Sequence, residues 1–224
     1  MADRPIIFSA PMVRALLDGR KTQTRRVLPL AHPKFSHQNV LDPDMLVDKQ
    51  YVWFWDGVHD CVGASWPLPY TPGDRLWVRE AFIGPYAYEV NEYPPRDWGN
   101  KAIWFPADGP VPEKHAGQFW HRARPSIHMP RWASRLTLTV TDVRVQRLQD
   151  ISAADAMAEG CDAVLALTIK RPNGAHPGNP RECYCDLWNS LHGPGAWDAN
   201  PWVVALTFTV QRGNIDKMPG QNDH

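Results

Sequence analysis

Apolar and polar positions alternate in short runs along the chain, and those runs are separated by long stretches rich in proline. Pro5-Ile6-Ile7-Phe8-Ser9 reads as a short buried strand, and Pro11 followed by Val13, Leu16 and Leu17 begins an amphipathic helix that Gly19 closes. Directly beyond that helix, Arg20-Lys21-Thr22-Gln23-Thr24-Arg25-Arg26 is expected as an exposed segment able to hold a ligand. Gly73-Asp74 opens a strand over 75–82 in which apolar and charged residues alternate. Leu136, Leu138 and Val140 alternate with threonines, after which Val143 and Val145 continue on the opposite parity; a bulge or corner near Thr141-Asp142 would reconcile the two faces. Ser152 caps a short helix that runs through Glu159, with Asp155 at its third position and Gly160 after it. Tyr184, Leu187, Trp188 and Leu191 have helical spacing, and Trp202 to Val210 is a closing strand.

Between these elements the chain loses its periodicity. The region 30–72 has one hairpin signal, the aromatic alternation at 51–55, and 84–125 has one strand signal at 101–105. Both are expected to be Pro/Trp-rich insertions in a single domain over 1–212, with a loose tail at 213–224. Composition agrees with a globular chain: 43% hydrophobic and 21% charged residues argue against wholesale disorder, while 22 prolines require many turns and edges. The 11 tryptophans fit either core packing or stacking on bases. No apolar run approaches the roughly 18 residues that span a bilayer, and the opening residues lack a signal-peptide pattern. No membrane association and a cytoplasmic location are therefore expected.

Net charge is zero, so polyanion binding requires a local patch. Charge is unevenly spread: residues 1–35 carry seven Lys/Arg against two acids, and residues 121–147 carry six Arg against one Asp. If the two stretches meet they make one positive face; otherwise they are unrelated solvated arginines. The four cysteines do not form the framework of a secreted scaffold, so reduced thiols are expected. Cys183-Tyr184-Cys185 with His192 departs from zinc-ligand spacing, and the bland alternative is a pair of packing thiols on a helix. Neither a metal nor another cofactor is expected.

The run Leu16-Leu17-Asp18-Gly19-Arg20-Lys21-Thr22-Gln23-Thr24-Arg25-Arg26, with Gly73-Asp74-Arg75-Leu76-Trp77-Val78 and the segment 148–160, resembles the ASCH superfamily, and in particular its larger, Trp-rich phage and prophage branch. The resemblance covers about half of the chain. It implies an α+β fold, a PUA-like and mostly antiparallel β-barrel with a few short helices, and a basic cleft for RNA or a modified nucleoside or nucleotide. It further suggests an amidohydrolase site of the kind that acts on N4-acetylcytidine, with Lys21, Thr24 and Glu159 as the matching catalytic residues and Arg26 as a basic neighbour.

The chemistry of such a site is coherent. A threonine hydroxyl attacks only when a base takes its proton, and a lysine does so only where burial or nearby cations lower its pKa. Arg20, Arg25 and Arg26 are such cations. Equally, Lys21 and Thr24 suit a phosphate-binding turn without catalysis. Arg79, Arg131, Trp132 and Arg135 are further ligand-binding candidates, with Trp132 either stacking on a base or packing in the core. Trp77 faces the same choice, and its half-buried alternation favours the core. Three functions stay open: nucleic-acid or nucleotide binding, hydrolysis (amidohydrolase or ribonuclease), and a phage accessory or interaction module without catalysis. The sequence leaves the oligomeric state open.

Overall fold

The computed structural model describes residues 2–28, 51–54, 64–84, 103–111, 123–167, 169, 171 and 176–218. Its strands are β1 (Asp3–Ile7), β2 (Gln23–Val27), β3 (Tyr51–Phe54), β4 (Ala64–Pro67), β5 (Arg75–Arg79), β6 (Leu136–Arg147) and β7 (Trp202–Arg212). The helices are α1 (Ala10–Leu17), α2 (Ala153–Ala158), α3 (Ala163–Ala166) and α4 (Pro180–His192). Five strands make one mixed sheet in the order β1-β5-β6-β7-β2, while β3 and β4 pair separately and antiparallel. β1 runs parallel to β5; the β5–β6 and β2–β7 pairs are antiparallel.

This is an α+β fold, but the expected barrel needs correction: the described strands form an open sheet whose edges are β1 and β2. Closure would require the two edges to pair in a consistent stagger. β1 suits an edge, since it is short and contains Pro5, which has no N–H to offer a further strand.

The chain divides into two compact units, one built from residues 20–74 and 140–208 and the other from 2–19, 75–139 and 209–224. In the first unit β2 lies along β7, with Gln23 opposite Thr207 and Arg25 opposite Ala205. Val203, Val204, Ala205 and Leu206 of β7 are all fully buried, as a strand covered on both faces must be. Helix α2 starts as expected: Ser152 accepts the Asp155 N–H at 3.0 Å and so satisfies one of the orphan donors of the first turn. Ser152→Ala should lower stability by about 1 kcal/mol, read as a shift of the urea midpoint at constant m-value. Gly160, just past α2, has φ +90°, a region that a side chain disfavours. Helix α4 begins earlier than the aromatic spacing indicates, because Asn179 caps it by accepting the Glu182 N–H and Pro180 occupies its first turn.

In the second unit, α1 buries Met12, Val13, Ala15 and Leu16. β5 alternates as expected, with Leu76 and Val78 buried and Arg75, Trp77 and Arg79 half-buried. Phe82, Met129 and Ala133 form a cluster against which Ile103, Phe105 and Trp132 pack. β6 runs unbroken from 136 to 147, and its buried positions change parity across exposed Thr141 and half-buried Asp142. The start of the supposed loose tail is packed instead: Ile215 is fully buried and Asn214 donates to the carbonyls of Arg131 and Ser134. The expected strand at 101–105 reduces to a bridge between Ile83 and Trp104, with 101 and 102 outside the described residues. Most of the two insertions also lies outside them, namely 29–50, 55–63, 85–100 and 112–122.

Candidate functional site

The segment after α1 is not the exposed turn its composition indicates. Lys21, Gln23, Thr24 and Arg25 are each 3% exposed or less. They are buried because Gln23 onward enters the sheet as β2, and because the first unit supplies carboxylates to meet the incoming cations. Lys21, Gln23 and Arg25 alternate along the chain, so their side chains share one side of the strand direction. Asp155 and Glu159 are four residues apart and share a helix face. The two sets meet.

Lys21 Nζ donates to the Glu159 carboxylate at 2.7 Å and to the Glu159 carbonyl at 2.8 Å. The other Glu159 oxygen accepts from Arg25 at 3.0 Å, and Arg25 also donates to Asp155 at 3.1 Å and to Gln23 at 2.6 Å. Gln23 in turn donates to Asp155 and to Thr207, its partner across β7, and Arg144 donates to Asp155 at 3.0 Å. Side-chain exposure is 2% for Lys21, 4% for Glu159 and 0% for Arg25. Removing such ions from water costs several kcal/mol each, which mutual attraction offsets only when the hydrogen bonds are complete. Here one polar atom, Arg25 Nε, is buried without a hydrogen-bond partner.

Electrostatics follow from this burial. Desolvation pushes the Lys21 ammonium below its ordinary value despite the pull of Glu159, and nearby Arg26 pushes the same way. Burial alone would raise Asp155, but the hydrogen bond and charge of Arg144, with Arg25 and Gln23, hold it below the usual carboxylate range. Tyr184 lies beside the cluster, its ring 5.9 Å from the Arg25 guanidinium carbon, and burial, with Glu159 nearby, holds its phenol proton well above the ordinary range.

Of the three catalytic candidates, Lys21 and Glu159 are joined directly. Thr24 is buried on β2 opposite Leu206, and no side-chain hydrogen bond joins it to either of them among the described residues. Arg20 pairs with Asp162 at 2.9 Å, Arg25 is inside the cluster and Arg26 is half-buried. The remaining candidates belong to the second unit and are engaged there. Arg79 donates to the carbonyls of Ser126 and Ile127 and lies over the Trp77 ring. Arg131 bridges Asp3 and Asp216, and Arg135 bridges Glu80 and Asp108. Trp132 packs on the Phe82 cluster.

Gln23, Asp155, Arg144 and Tyr184 are members of the site that the sequence reading does not single out. The signal for two of them was present: residues 21, 23 and 25 alternate, and 155 and 159 are spaced i, i+4. As it stands, the cluster is a preorganised electrostatic unit whose lysine is fully engaged and whose proton affinity is lowered, enclosed by an open-sheet α+β domain. Comparison of the chain with protein-family models, characterised proteins and solved structures finds no match. Among the described residues no helix is long and apolar enough to cross a membrane, and no group of three or more His, Cys, Asp or Glu could hold a metal ion.

Proposed function

We propose that the chain is a binding domain of the ASCH, PUA-like type whose ligand is RNA or a modified nucleoside or nucleotide, taken beside the Lys21–Glu159 pair. The observation that supports this reading is the burial of that pair with Arg25: three charged groups from the 16–26 and 148–160 segments, two of the three that carry the motif resemblance, meet in one hydrogen-bonded cluster. Buried charge of this kind is costly to a fold and concentrates at sites with a task. The PUA-like character of the fold is part of the same reading and rests on the motifs.

Phosphate contacts release counterions, so affinity for a labelled single-stranded RNA should fall steeply between about 50 and 200 mM salt. Arg26→Ala should weaken binding and reduce the magnitude of the salt slope by about one. An affinity that ignores salt, or no association of the unaltered protein, would sink the proposal.

A hydrolytic reading is favoured by one observation, the lowered proton affinity of Lys21, which is what a general base for a Thr24 hydroxyl would need. It predicts turnover of N4-acetylcytidine that is lost in folded Lys21→Ala and Thr24→Ala variants.

A further inference from the structure

We propose that the cavity walled by the end of α3 and the start of α4 is a second ligand site, for a small, largely apolar molecule that carries hydrogen-bond donors and no negative charge. The cavity lies in the first unit and has a volume of about 350 Å³, the size at which pockets for small organic molecules begin. Cys161, Ala166, Leu167, Pro177 and Pro180 give it mostly apolar walls, and none of Lys21, Arg25 and Glu159 lines it. Leu167 is 68% exposed although its side chain is large and apolar, so a ligand seated against it removes that surface from water. The site thus goes beyond the RNA reading and does not depend on it.

Three polar side chains interrupt the wall, each held by the protein. Asp162 accepts the Leu165 N–H at 2.9 Å and pairs with Arg20 at 2.9 Å, and a carboxylate oxygen can accept more than one hydrogen bond. His176 donates its Nδ1–H to the Ile169 carbonyl at 2.8 Å, since a carbonyl can only accept; in the neutral ring Nε2 is then an acceptor. Asn179 is spent on capping α4, accepting the Glu182 N–H and donating to the Glu182 carboxylate. The wall is therefore richer in acceptors than in donors, which suits the N–H and O–H groups of a ligand.

An anion has little to hold it there. No lysine or arginine is among the described residues of the lining. The helix start that borders the cavity is already satisfied: Pro180 has no N–H, the Glu182 N–H goes to Asn179, and the Gly178 N–H goes to the Glu182 carboxylate at 3.1 Å. Glu182 thus sets its own negative charge at the end of the helix that attracts anions. A ligand carboxylate would lose hydration without gaining a cation. The Glu182 carboxylate also accepts from Arg171 at 2.9 Å, so the rim is set before a ligand arrives, which lowers the entropic cost of binding. Because Asp162 is paired with Arg20, the site suits neutral as well as cationic molecules.

Amide proton–nitrogen spectra of the full chain, titrated with three indoles that share a ring and differ in side-chain charge, test the proposal. Tryptamine, a cation, and tryptophol, a neutral alcohol, are expected to shift the amides of Cys161, Asp162, Leu167 and Asn179 to saturation in the millimolar range, as suits ligands of about a dozen non-hydrogen atoms. Indole-3-acetate, the anion, should bind at least about tenfold more weakly. Leu167→Ala should weaken tryptamine and tryptophol by about tenfold, and Ala166→Phe should abolish binding by filling the cavity. Asp162→Asn, which keeps an oxygen for the Leu165 N–H, should narrow the gap between tryptamine and the acetate. Should Ala166→Phe fail to fold, Leu167→Ala decides, because its side chain is exposed. Tighter or equal binding of the acetate, shifts that fall elsewhere, no shift with any of the three, or an affinity unaltered by Leu167→Ala would each overturn the proposal.

Discussion

Glu159→Ala is expected to lower stability by about 3–5 kcal/mol, the range for stripping one partner from a buried ion pair. The substitution leaves Lys21 and Arg25 charged, nine-tenths or more buried and facing each other's field without the carboxylate that now sits between them. Asp155 retains its bond to Arg25, but Lys21 keeps only the Glu159 carbonyl among the contacts described above. Urea unfolding measures the loss. A second variant identifies its cause: Lys21→Met/Glu159→Gln removes both charges of the pair, and should be more stable than the sum of its single changes indicates, with a coupling energy above about 1 kcal/mol. Additive single effects would mean that the two groups are not energetically joined. The lowered pKa of Lys21 adds a pH signature with a definite sign. Because the folded value lies below the ordinary 10.5, the unfolded chain binds more protons between the two values, so the Lys21 contribution to stability grows as pH rises through that window and is lost as pH falls through the folded value. Lys21→Met should abolish that slope.

Arg135→Ala should cost about as much, and for the same reason, in the second unit. Arg135 donates to both oxygens of Glu80, at 2.8 and 3.0 Å, and Glu80 is 1% exposed. Arg135 also lies over the Phe105 ring, 4.1 Å from its centroid, so truncation removes packing as well as charge. Burial already pushes the Glu80 carboxyl above the ordinary value near 4.5 even with Arg135 against it. Without the guanidinium that displacement grows, so the unfolded chain ionises first and the variant loses stability as pH rises from about 4.5 through the folded value. The deficit is therefore expected to be large at neutral pH and to shrink on acidification, a pattern that denaturation curves across pH 4 to 8 would reveal. RNA affinity per folded molecule should be unchanged, because the Arg135 guanidinium is committed to Glu80 and Asp108. A folded Arg135→Ala protein that binds RNA poorly would return this residue to the ligand site.

The basic positions show where reading the chain alone loses its grip. Arg25, Arg131 and Arg135 look alike in sequence, as cations in proline- and threonine-rich surroundings. In the fold Arg25 is enclosed by Glu159, Asp155 and Gln23, whereas Arg131 and Arg135 are bound by acids as distant as Asp216 and Glu80. Whether an arginine is solvated or consumed depends on what lies opposite, and the opposite group is set by long-range pairing. Lys21 is the sharpest case: a polar run after a helix reads as surface, but one more turn of chain carries it into the sheet.

By itself the sequence determined the elements whose cause is local. The capped start of α2 at Ser152, the glycine after it, the alternation along β5, the parity change in β6 and the closing strand β7 follow from neighbours within a few positions, and the structure has each of them. The sequence also brought Lys21 and Glu159 into one hypothesis through motif resemblance. Only the tertiary structure decided that they touch, that Asp155 and Arg25 share their cluster, and that the sheet stays open. The physical reason is one of range. Caps and periodicity are written into a backbone turn by turn, while buried ion pairs join groups whose separation along the chain says nothing of their distance in space.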